Sequence, residues 1–341
     1  MLKRLPLRLT LRLPFHLPFR LLAVSLLPAL LLPQPAFAQQ AQQDYPNRPI
    51  RVIVPFSPGG AVDGPTRAVA QELGRRLGQQ IVIENKPGAG ATIGSEMVAK
   101  APADGYTLLL ASQTNAISAT LYTKLSFNPL DDFIPISLIG RESAVLVAHP
   151  SLPANNLNEL LALARERRGD LNYASSGNGS GQHLFMALFT TMANVKLTHV
   201  PYRGSGQATT DLLAGTVPLS FPGLAGMLQH IKGGKLKALA VSGSSRSAHL
   251  PDVPTLAEAG LAGYSAYVWL GLMAPKGTPP AIVERLHKEV IASLEAESVK
   301  RYFSEAGIEA AGSSPAEFAA YFREERDRWA RVIKDTGAKI D

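Results

Sequence analysis

An α/β fold in two units is predicted by two observations. From Ile50 onward, short β-branched runs alternate with stretches of helical spacing, and glycine-rich turns stand at the strand-to-helix junctions. Such alternation gives a parallel-rich sheet with helices on both faces. The length left after a leader of 38 residues, about 300, suits two units of ~150 each.

The elements follow in order. Ile50, Val52, Ile53 and Val54 form a buried strand that ends at Pro55. Pro58, Gly59 and Gly60 turn the chain, and Val62 to Leu77 takes up helical spacing. Gln80 to Ile83 reads as a second strand, Thr92 to Ala101 as a helix, and Tyr106 to Leu110 as a third strand entered through the turn Asp104-Gly105. A second series begins with a strand at Ala144 to Ala148 and a helix around Leu157 to Arg168. Strands then follow near Leu171 to Ala174, Leu197 to Tyr202, Val217 to Phe221 and Leu236 to Val241. Near the C-terminus, Ser314-Pro315-Ala316-Glu317 is a capping box with proline at the first helical position. Phe318, Phe322, Trp329, Val332 and Ile333 form an apolar stripe stopped by Gly337, so this helix is expected to pack on the first unit with Trp329 in the core.

Residues 1–38 read as a secretory leader. Lys3, Arg4, Arg8, Arg12 and Arg20 precede the apolar run Leu21 to Leu32, and Ala36-Phe37-Ala38 supplies the small-x-small cleavage pattern. The apolar run is shorter than the ~20 residues a spanning helix needs. The leader holds five of the 34 Lys and Arg and none of the 27 acids, so the remainder carries 29 − 27 = +2. That excludes the concentrated basic surface nucleic acid requires. With no cysteine, disulfides, thiol catalysis, Cys-ligated zinc and lipidation at a leader-adjacent cysteine are excluded.

Ligands in open α/β sheets gather beyond the carboxyl ends of the strands. Four loops there are rich in glycine and hydroxyls: Phe56 to Asp63, Pro87 to Thr92, Ser175 to Gly181 and Tyr202 to Gly206. Each follows a strand and precedes a helix. Backbone N–H groups at such turns hold an anion without a basic side chain, although the same glycines also suit plain turns. Two such loops in each half suggest two lobes sharing one small ligand.

The motifs Tyr45-Pro46-Asn47-Arg48-Pro49-Ile50, Val54 to Asp63, Asn85-Lys86-Pro87-Gly88-Ala89-Gly90, Asp104-Gly105-Tyr106-Thr107-Leu108, Leu171 to Ser175, His199 to Gly206 and Leu250-Pro251-Asp252-Val253-Pro254-Thr255 carry a family resemblance. In this order the chain resembles the Bug family, the TctC-like solute-binding receptors of tripartite tricarboxylate transporters. The resemblance spans essentially everything after the leader. It implies a periplasmic Venus flytrap of type II, with a parallel-rich mixed sheet in each lobe and two hinge-crossing strands. Lobe 1 would comprise 39–142 with 267–341, and lobe 2 would be 143–266. Ala144 to Ala148 and Tyr267 to Ala274 are the segments expected to cross. The implied role is capture of a small carboxylate (a di- or tricarboxylate, acidic amino acid or aromatic acid) by lobe closure, without chemistry, as a monomer, and delivery to membrane permease subunits. The implied cofactor and metal content is none.

Carried over residue by residue, the family's ligand loops fall on Phe56, Ser57, Gly59, Gly60 and Asp63, with Phe56 as a wall and the glycines as N–H donors. Asp63 suits either a ligand ammonium or a water, or a helix N-cap before Gly64 and Pro65. Gly90, Ala91 and Thr92 form the facing jaw, with Ala91 where the family more often has glycine. Ser112, Thr114 and Asn115 follow the third strand. From the second lobe come Ser175, Ser176, Gly177, His183, Tyr202 and Gly204, with His183 either a donor to the carboxylate or structural. Pro222 stands where an acid or amide is common, which weakens the case for an amine-bearing ligand.

Rival readings are thinner. A serine hydrolase using Ser176 and His183 lacks a G-x-S-x-G elbow and a motif-placed acid. A dinucleotide site fails because the third glycine after Gly88-Ala89-Gly90 falls at Gly94, one residue late. His149, His183, His199, His230 and His249 are scattered without metal-ligand spacing. A module that reports ligand to a membrane sensor kinase would have the same fold as a transport receptor.

Overall fold

The computed structural model describes residues 45–122 and 124–338. The leader and its cleavage site lie outside them. Two sheets form the frame, and each is built around three parallel strands.

In the first sheet β1 (Ile50–Val54) pairs in parallel with β2 (Ile81–Asn85) and β3 (Thr107–Ser112). β-branched residues at 50, 52, 53 and 54 are buried on both sheet faces, as parallel strands under helices demand, while Arg51 stays outside and pairs with Glu84. The long strand β4 (Phe133–Ser143) and β10 (Tyr267–Pro275) extend this sheet antiparallel, giving the order β11-β4-β10-β3-β1-β2 with β11 at Glu309–Ala310. The sequence reading omits β4, whose bulges against β10 break the period-2 alternation.

The second sheet has the order β7-β6-β8-β5-β9, from β5 (Val145–Ala148), β6 (Asn172–Ser175), β7 (Thr198–Pro201), β8 (Leu219–Ser220) and β9 (Lys237–Val241). Here β6 pairs in parallel with β7 and β8, and β5 runs antiparallel to β8 and β9.

Helices follow each parallel strand. In the first sheet these are α1 (Asp63–Leu77), α2 (Thr92–Ala99) and α3 (Gln113–Leu121). After α4 (Leu157–Arg167), the second sheet adds α5 (Gly181–Ala193), α6 (Ser205–Leu213) and α7 (Leu224–Lys232). The chain closes with α8 (Pro280–Leu294), α9 (Glu297–Ala306) and α10 (Pro315–Thr336).

The chain passes between the sheets at single residues rather than along whole strands. β4 stops at Ser143 and β5 starts at Val145, while β10 lies wholly within the first sheet and is entered from Ala266. Ser242 ties the two passages together. Its Oγ accepts from Ala144 N at 2.8 Å and donates to Ala266 O at 2.5 Å, and the residue is fully buried.

Helix α10 carries the Ser314 capping box and ends at Gly337 in the left-handed region. Its apolar stripe packs on α3 and β4 as expected, and it also reaches α5 of the second sheet, where Trp329 sits 5.5 Å from the Phe185 ring. Both tryptophans of the chain donate to one carboxylate: Trp269 Nε1 on β10 and Trp329 Nε1 lie 2.9 and 3.0 Å from Glu325 Oε2. Glu325 and both indoles are buried. Replacing Glu325 by Leu strands two buried N–H donors and is expected to lower unfolding free energy by about 2–4 kcal/mol, measurable by urea denaturation.

Candidate functional site

Three parallel strands in a sheet all end on one side, so the helices that follow them all start there. Six helix starts therefore converge where the two sheets face each other. The N-cap residues of α1, α2, α3, α5, α6 and α7 are Val62, Ala91, Ser112, Ser180, Gly204 and Gly223, and all six line one cavity of about 670 Å³. The first N–H groups of a helix have no intrahelical acceptor and sit at the positive end of its dipole. Among the described residues no aspartate, glutamate, lysine or histidine lines the cavity, and Arg203, exposed to solvent, is the one charged residue on its wall. Phe56, Tyr122, Phe185 and Val268 supply apolar surface.

The lobes meet closely at the rim. Gly204, with φ +125°, faces Ser57: a Cβ there would stand 2.6 Å from Ser57 Oγ. Gly60 lies opposite Ser205 Oγ in the same way, at 3.1 Å from its Cβ position. Ala91 takes φ +70° as the cap of α2, a conformation glycine adopts at less cost.

Of the residues the sequence reading puts forward, Phe56, Ser57, Gly60, Gly90, Ala91, Ser112, Thr114, Ser176, Gly177, Tyr202 and Gly204 line the cavity. Six do not, and each has its polar groups engaged elsewhere. Asp63 is the first residue of α1, not its cap. Its buried carboxylate accepts from Gly59 N, Arg67 Nε and Asn85 Nδ2 at 3.0, 3.0 and 2.8 Å. Burial works to raise its pKa, but the bonds from Arg67, Asn85 and Gly59 outweigh that and hold it below the usual carboxylate value. The N–H of Gly59 is thereby used as well. Thr92 Oγ1 donates back to Ala89 O. Asn115 completes the α3 capping box and donates to Ser95 Oγ at 2.8 Å.

Ser175 and His183 lie behind the loop. Ser175 Oγ is 2.6 Å from His199 Nε2 and accepts from Gly177 N. His183 Nδ1 accepts from Gly179 N at 3.2 Å, and its ring stacks on His199 with centroids 4.2 Å apart. Burial, with His183 nearby, pushes the His199 pKa down to about 3, so this stack is held with His199 neutral. The serine beside His199 is Ser175, which is fully buried.

The cavity also contains residues the sequence reading passes over: Gln113, Tyr122, Gln182 and Phe185. Gln113 stands between Ser112 and Thr114, which are put forward, and only the start of a helix at 113 turns it inward. Tyr122 and Phe185 carry the helical spacing of ordinary core residues, so nothing local marks them.

Residues 66–338 match the profile described as "Tripartite tricarboxylate transporter family receptor". The chain belongs to this family. The receptor is 39% identical to Protein BugT of Bordetella pertussis over 298 residues, 87% of this chain and 91% of that one. Its fold is similar to that of "R. palustris Rpa4515 with adipate", at TM-score 0.84 and 36% identity over 87% of this chain and 100% of that one. It is also similar to MatC from Rhodopseudomonas palustris with bound malate, at TM-score 0.81 and 33% identity over 85% and 100%. The receptor is thus a solute-binding protein of the two-lobed periplasmic type.

Among the described residues, side chains take a first-turn donor at three of the six starts: Ser112 Oγ accepts from Thr114 N, Ser180 Oγ from His183 N, and a carboxyl group from an N–H of α7. Glu142, at the end of β4, accepts from Ala225 N in the first turn of α7 at 2.5 Å. Burial pushes the Glu142 pKa up to about 8, with the Ala225 bond opposing. The folded value lies above the unfolded one, so its stabilising contribution is complete below about pH 4.5 and is lost as pH rises through 8. Between those values stability is expected to fall by up to about 1.4 kcal/mol per pH unit from this group, and Glu142→Gln should remove that slope in chemical denaturation.

Proposed function

We propose that the receptor captures a small carboxylate between its lobes and delivers it to the membrane permease of a tripartite tricarboxylate transporter. One observation carries the ligand class: six helix starts face a cavity whose wall, among the described residues, includes no acidic side chain. Such a site attracts an anion and repels an ammonium. Charge-assisted bonds from backbone N–H groups contribute about 1.5–3 kcal/mol each, so four or five are ample for micromolar binding after the entropy of association. The apolar walls fit the carbon body of a di- or tricarboxylate or an aromatic acid. Adipate and malate, the ligands named with the similar R. palustris proteins, support the same class.

The lobes are assigned to residues 39–142 with 267–341 and to 143–266, the second holding β5 to β9. Closure works about Ala144 and Ala266, which Ser242 links. Export through the leader, cleavage near Ala38 and work as a periplasmic monomer complete the reading, supported by the leader pattern and by the family.

Purified protein is expected to show a thermal shift with at least one of adipate, malate, citrate or benzoate and none with the corresponding uncharged amides. Turnover of an acid without saturable binding would sink the reading. Gly60→Phe places a ring against the Ser57 and Ser205 loops and is expected to abolish the shift while unfolding stays cooperative; unchanged affinity would remove the first loop from the site.

A further inference from the structure

Gln113 opens α3 and is 6% exposed. Its Oε1 accepts from the main-chain N–H of Trp269 at 3.2 Å, on β10, the strand entered directly from the hinge residue Ala266. A main-chain N–H only donates, so the carboxamide is locked with oxygen toward β10 and nitrogen away from it. Among the described residues that nitrogen has no protein acceptor. Among the described residues the side-chain atoms sealed from solvent without a partner are Gln182 Oε1 and Arg326 Nε, so Gln113 Nε2 is not sealed and opens on the cavity that Gln113 lines. On the far side of the amide stands Gly181, the first residue of α5 in the other lobe. A Cβ on Gly181 would stand on Gln113 Nε2, which explains why the opposing helix begins with a residue that has none.

Building on the carboxylate reading, we propose that Gln113 is a ligand-binding and specificity-determining residue. Its NH₂ donates to an oxygen of the bound acid between the starts of α3 and α5, and through the same carboxamide joins that oxygen to the Trp269 N–H of the hinge strand. The group it reads is an acceptor. An acid presents one, whereas an ammonium would set donor against donor in a cavity whose wall has no acid to balance it. A residue that meets ligand, hinge strand and opposing lobe at once fits only the closed arrangement, so ligand and closure favour each other.

The test is isothermal titration of the full exported chain with adipate, malate and benzoate at pH 8 and pH 5. In Gln113→Glu the side chain keeps an acceptor for Trp269 but turns a negative oxygen to the ligand. Affinity for the acid that wild type prefers is expected to fall about 100-fold at pH 8, and to recover at pH 5 as the carboxyl gains a proton and donates. Recovery at low pH is a signature that a merely structural defect would not give. Gly181→Ala leaves residue 113 in place but displaces its amide, and is expected to lose about tenfold, guarding against misfolding of the first variant. If wild type binds an acid and both variants bind it equally well at both pH values, this assignment is overturned alone. If wild type binds no acid, the carboxylate reading falls and the assignment with it.

Discussion

Among the described residues an anion in this cleft would meet no buried lysine or arginine, which leaves main-chain N–H groups and uncharged side-chain donors to hold it. That constraint shapes the protein. Free N–H groups occur in the first turn of a helix, and one helix supplies too few of them to replace a cation. Several helices can start at one point only if the strands before them run parallel and end together. Each sheet meets this with three parallel strands, β2-β1-β3 in one and β7-β6-β8 in the other, and the antiparallel strands β4, β10, β5 and β9 complete the sheets and connect them. The cavity between the sheets is then a field of donors with apolar walls.

The remaining polar side chains near the cavity hold this arrangement rather than add to it. Asp63 fixes the first loop through Gly59, Arg67 and Asn85; Asn115 caps α3 and ties it to α2 through Ser95; Ser175, His183 and His199 brace the loop before α5. Were such groups turned into the cavity, Asp63 above all, they would oppose the anion. Inward-facing donors and outward-facing acceptors are two results of the same sorting of charge.

Two further ties decide how the lobes stand together. Ser242 joins both chain passages with one hydroxyl, and Glu325 joins the hinge strand to α10 through two indoles. Because Trp329 also packs on Phe185, a wall residue of the cavity, the last helix supports the site from behind although it contributes no lining residue. An apolar stripe on α10 is readable from residue spacing; the fact that it serves both sheets depends on where the second sheet stands.

The sequence by itself determined the alternation of strand and helix, the glycine-rich junctions, the capping box of α10, and the small net charge left once the leader is set aside. These are local properties: β-branching, glycine at turns and helical spacing act within a few residues of each other. It marked four loops that line the cavity, and within them the small residues Ser57, Gly60, Gly90, Ser176, Gly177 and Gly204. What only the tertiary structure decided was direction. Whether a polar side chain beside such a loop faces the ligand or the framework depends on partners far away in the chain: Asn85 for Asp63, Ser95 for Asn115, His199 for Ser175 and His183, and Trp269 for Gln113. A hydrogen bond across more than 150 residues turns the Gln113 nitrogen into the cleft, and no local pattern encodes a partner at that separation.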